Sequence, residues 1–70
     1  MMYTCHRVNA SSPTAPVDLS GLTEEQAISA VLADSVAAGK DHVLTRTDGN
    51  VTFTVGVARS DGVTFDEVTP

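Results

Sequence analysis

The sequence predicts an α+β domain: a single β-α-β-β-β unit with one helix packed on one face of a mainly antiparallel sheet. Three observations lead there. Residues 24–38 carry apolar positions at helical spacing between clear caps. From residue 42 onward, runs rich in valine, threonine and phenylalanine alternate with period two. Two similar strings, Thr47-Asp48-Gly49 and Ser60-Asp61-Gly62, punctuate those runs as turns.

The first strand is read over residues 2–8, where Tyr3, Thr4 and Val8 are β formers. Asn9 to Pro16 is small, polar and Pro-containing, which predicts a mobile loop at about 9–16. The helix has the strongest local signals. Thr23 with Gln26 three residues on fits a capping box, and Glu24 and Glu25 suit the positive first turn. Gly39 is placed to end the helix in a left-handed conformation. At 100° per residue, Ala27, Ile28, Val31, Leu32, Ser35 and Val36 share the expected core face. Ala30, Ala33 and Ala37 fall on the other side. That spacing suits either a solvated face or the close approach of a partner.

Facing in the sheet depends on the turns. A three-residue Thr47-Asp48-Gly49 loop sets Val43 and Thr45 beside Val51, Phe53, Val55 and Val57. The second turn then adds Val63 and Phe65. Phe53 and Phe65 are therefore expected under the helix, near Ile28 and Leu32, with His42 turned away. The outer face would show Thr52, Thr54, Gly56, Ala58, Thr64 and Asp66. A two-residue Asp48-Gly49 turn would instead bring Leu44 and His42 inward, because a one-residue slip inverts a strand.

Seventy residues make one small domain, here 1–70. Four basic against nine acidic residues give a net charge of -5, which argues against coating a nucleic-acid backbone. No apolar run nears the roughly 18–20 residues of a membrane span. The opening residues lack the roughly 7–15-residue apolar stretch of a secretory signal. The one cysteine, Cys5, has no second cysteine to pair with. A cytoplasmic location is the expectation. So is a homodimer, since a core this small without a disulfide gains most by association.

The residues that could carry chemistry are few. Cys5 and His6 are adjacent on a strand, so their side chains leave opposite faces and form no dyad. Cys5 could meet His42 across strands, but nothing in the sequence demands it. Cys5, His6, Asp41 and His42 lack the spacing of a metal site. Turn and cap roles account for Asp48, Asp61, Glu24 and Glu25. No catalytic residue, cofactor or metal is expected, and the chain reads as a non-enzyme.

Val36-Ala37-Ala38-Gly39, Val43-Leu44-Thr45-Arg46, a Gly-containing turn and Val51-Thr52-Phe53-Thr54-Val55 together resemble the core of Phd/YefM-type antitoxins, over about residues 27–57. The resemblance implies a dimeric DNA-binding regulator, with Arg46 and Arg7 as the candidate DNA contacts. The residues themselves favour another class. With acids in excess and no catalytic constellation, the chain reads as a small non-catalytic interaction or inhibitor module of bacterial or phage type. Its partner would be another protein, with a basic surface that complements the charge. The candidate surface is Ala30, Ala33 and Ala37 on the helix with Thr52, Thr54, Thr64 and Asp66 on the sheet.

Overall fold

A computed structural model describes residues 2–8 and 17–68. The loop expected at 9–16 lies outside the described residues. The elements are β1 (Met2–Arg7), α1 (Glu24–Ala38), β2 (His42–Asp48), β3 (Val51–Ala58) and β4 (Phe65–Glu67). The strands form one sheet in the order β1-β2-β3-β4, with every neighbouring pair antiparallel. The helix covers one face. The fold is the α+β arrangement the sequence predicts.

The helix forms where its caps put it. The Thr23 side chain accepts from the Gln26 backbone N–H at 3.2 Å, and the Gln26 side chain accepts from the Thr23 N–H at 3.0 Å. These reciprocal bonds satisfy donors that the first turn leaves without helical partners. Gly39 ends the helix at φ 66, where a side chain would be strained, and the Lys40 N–H returns to the Ser35 carbonyl at 3.2 Å.

The core face of α1 holds the expected residues except Val36. Ala27, Val31 and Ser35 are fully buried, and Ile28, Leu32 and Ala30 pack against the core. Val36 is 55% exposed instead. It flanks the β3–β4 loop, where a Cβ on Gly62 would come within 2.7 Å of its own Cβ. Ala30 thus serves the core, while Ala33 and Ala37 remain exposed.

The sheet corrects the expected facing. Asp48 pairs with Val51, so the hairpin turns on two residues, Gly49 and Asn50. Gly49 has φ 63, the positive value that tight hairpin turns require at their first central position. That register sends Leu44 and His42 inward, each 0% exposed, rather than Val43 and Thr45. A bulge then shifts the pairing: Leu44 faces Gly56 while Thr45 faces Thr54, leaving Val55 as the extra residue. Beyond it, Gly56 and Ala58 take the helix side and Val57 the outer side.

Phe53 and Val51 do lie on the helix side, across from Arg46 and Asp48. The helix does not reach them, and they stay 41% and 52% exposed. Phe65 packs against the core as expected. Val63, expected beside it, is 80% exposed. The reason is a longer loop: Asp61 accepts from the backbone N–H groups of Val63 and Thr64, holding Val63 out of the strand.

Candidate functional site

Two polar constellations and one open surface need a physical account. The first is the His42 cluster, under the C-terminal half of α1. Nδ1 of His42 lies 3.0 Å from the Lys40 carbonyl, and Nε2 lies 2.5 Å from Oδ2 of Asp34. The carbonyl accepts from Nδ1, and Nε2 also lies 3.4 Å from Nε of Arg7, which donates toward it. Arg7 donates to the same Asp34 oxygen at 3.1 Å. Every polar atom of the ring is satisfied and the ring is shut off from solvent. It has no free edge for a substrate, so the cluster clamps β1, α1 and β2 together.

Burial pushes the Asp34 carboxyl up. The hydrogen bonds from His42 and Arg7, with their charge, outweigh that and hold it below the usual carboxylate range. A depressed folded-state value means the stabilisation is present above the unfolded value of about 3.9 and is lost as pH falls through the folded one. The urea midpoint is therefore expected to drop as pH is lowered below about 4. Asp34→Asn should lower the midpoint at neutral pH and flatten part of that acid slope. Asp18 and Asp61, also held low by hydrogen bonds from Ser20 and Thr64, keep the remainder. An unchanged acid slope in Asp34→Asn would remove Asp34 from this role.

Cys5 is 3% exposed and faces Leu44 rather than His42. Burial pushes its thiol up, away from the reactive thiolate. Among the described residues, no three His, Cys, Asp or Glu side chains gather to hold a metal ion. No helix of the described chain is long and apolar enough to cross a membrane.

The second constellation lies at the other end of the molecule, where the β2–β3 hairpin projects past the start of α1. A groove of about 400 Å³ opens there between Glu24, Arg46, Phe53, Val55, Glu67 and Val68. The Arg46 guanidinium lies 5.3 Å from the centre of the Phe53 ring, within cation–π range. Its Nε is shielded from solvent and has no hydrogen-bond partner among the described residues. No ion pair joins Arg46 to Glu24 or Glu67, although both line the same groove.

The third feature is the sheet face away from the helix. Thr4, Thr45, Thr47, Thr52 and Thr54 stand together on it, with Val43, Val57 and His6 beside them. The hydroxyls of Thr4 and Thr45 are 2.6 Å apart and those of Thr47 and Thr52 are 3.2 Å apart. Asp66, at one corner, is tied to Arg59.

Of the sequence-nominated residues, Thr52 and Thr54 are on this open face. Gly56 and Ala58, expected there, are buried against the helix. Thr64 is bound up in its loop by Asp61 at 2.6 Å. The DNA candidates are not brought together. Arg46 pairs with Tyr3, and Arg7 sits four strand positions further along, held by Asp34. The sequence reading missed Asp34 and the Arg46–Phe53 stack. A signal for Asp34 existed: Ala30, Asp34 and Ala38 form an i+4 series beside the buried one, so an acid stood at the core margin.

Comparison with family models, curated proteins and solved structures finds no match to this chain. The functional reading therefore rests on the geometry.

Proposed function

We propose that this protein is a small non-catalytic interaction module, of the inhibitor kind, that pairs with itself through the open sheet face and meets a basic partner protein with its acidic end. The observation that carries this is the segregation of charge. At the His42 end, Asp34, Asp41 and Asp66 are all engaged by Arg7, His42 and Arg59. Toward the hairpin and the start of α1, Glu24, Glu25 and Asp48 are exposed, as is Glu67 on the groove beside them, and among the described residues none of the four holds an ion pair. Unpaired carboxylates on one end steer a basic surface toward it. The threonine face suits a second copy for a different reason. A hydroxyl both donates and accepts, so a face of hydroxyls and methyls is complementary to itself across a two-fold axis. Elsewhere, two copies at -5 repel.

The test has three arms. Light scattering after gel filtration is expected to give a dimer at micromolar concentration, and Thr45→Glu with Thr54→Glu a folded monomer. A wild-type monomer mass up to millimolar concentration would end the self-association part. In capture from the native host at low salt, neutralising Glu24, Glu25, Asp48 and Glu67 is expected to lose a basic partner, and equal capture would end the docking part. Titration of duplex DNA, including the gene's upstream region, is expected to show no binding tighter than about 10⁻⁴ M at physiological salt. Submicromolar, salt-sensitive binding that Arg46→Ala abolishes would replace this reading with the DNA-binding one.

A further inference from the structure

We propose that the Arg46–Phe53 groove is a binding site for a small zwitterion, a molecule carrying a carboxylate and an ammonium joined by an aliphatic body. This does not depend on the partner protein.

The groove's volume of about 400 Å³ falls in the range of roughly 300–1,000 Å³ typical of small-molecule sites. Its chemistry is divided. Arg46 is a fixed cation, braced against the Phe53 ring, and its Nε lacks an acceptor. A carboxylate engaging the guanidinium through its two terminal nitrogens would meet that cation in the planar, two-bond geometry arginine favours. Glu24 and Glu67 stand on the same groove without an ion pair to Arg46.

Those two carboxylates decide the ligand class. They make the groove unfavourable for a simple anion, which would gain Arg46 and meet two like charges. A simple cation meets the reverse conflict at Arg46. A molecule with both charges is matched at each end. Phe53, Val55 and Val68 line the same groove and offer apolar surface to an aliphatic chain.

The probes are 6-aminohexanoate, hexanoate, hexylamine and inorganic phosphate, titrated into the full chain at low ionic strength and followed by amide chemical shifts. The expected result is saturable binding of 6-aminohexanoate, with a dissociation constant on the order of 1 mM. Its shifts should fall on Arg46, Phe53, Val55 and Glu67. Hexanoate and hexylamine should each bind at least tenfold more weakly. Arg46→Gln, with folding checked by thermal melt, should reduce zwitterion affinity at least tenfold, and Glu67→Gln should reduce it severalfold. Phosphate or hexanoate binding as tightly as the zwitterion would overturn the proposal in favour of a plain anion site. Hexylamine binding as tightly would reduce the groove to an acidic patch. No saturable shift with any probe at tens of millimolar would show that the groove is not a ligand site.

Discussion

His42→Ala is expected to remove about half of the domain's stability at neutral pH, while Phe53→Ala removes little. His42 is 0% exposed, and its removal leaves three debts. A cavity opens between α1 and β2. The Lys40 carbonyl loses its donor. Asp34, 20% exposed at its side chain, loses its shortest hydrogen bond and keeps only Arg7. Deleting a fully buried ring costs about 3–5 kcal/mol through the cavity it leaves. A chain of this length has a total stability of roughly 4–10 kcal/mol, from about 0.05–0.15 kcal/mol per residue. Phe53 is 41% exposed and its loss should cost about 1 kcal/mol, much of it through the Arg46 contact. Urea denaturation of both variants decides the matter. Asp34→Ala and the double variant complete a cycle, and a coupling of at least 1 kcal/mol between the two sites is expected. A His42→Ala protein within about 1 kcal/mol of wild type would mean that the ring is not the clamp.

That expectation reverses the one drawn from sequence, and the reversal has a local cause. The helix was legible because its signals are local: Thr23, Gln26 and Gly39 fix both ends without reference to the rest of the chain. Which way a strand faces is a relation between strands. It turned on whether the β2–β3 loop took two residues or three, and Thr47-Asp48-Gly49-Asn50 accommodates either. The bulge at Val55 then inverted the parity of β3 midway, so Phe53 and Ala58 both reach the helix side although they are five positions apart. Period-two alternation through Val51, Phe53, Val55 and Val57 hid that inversion. Arg46 was nominated as a DNA contact, but its stack on Phe53 could not be read without that register. The threonines of the outer face were visible one strand at a time. Their convergence from β1, β2 and β3 was not.

Gly56→Ala is the second substitution expected to be severe, and it tests the bulge directly. Gly56 follows Val55, faces Leu44 on one side and pairs with Glu67 on the other. Its backbone conformation is ordinary; what it lacks is room. A Cβ there would stand 2.6 Å from Cζ of Phe65 and 2.6 Å from the Asp66 carbonyl oxygen. The ring could swing aside by giving up its burial against the core. The carbonyl belongs to the β4 backbone and moves only if the strand moves. β4 has three residues and pairs with β3 alone, so displacing it is the cheaper response. That response also frees the Phe65 ring, so one methyl group removes both a strand and a core aromatic. The expected cost is about 2–3 kcal/mol, in the range of overpacked interiors. Amide hydrogen exchange should accelerate across 65–67 while α1 stays protected. Phe65→Leu in the same background relieves only the ring contact and should recover less than half of the loss, because the carbonyl contact remains. If Gly56→Ala melts like wild type with β4 protected, the close approach of Phe65 over Gly56 is wrong, and with it the register that follows the bulge.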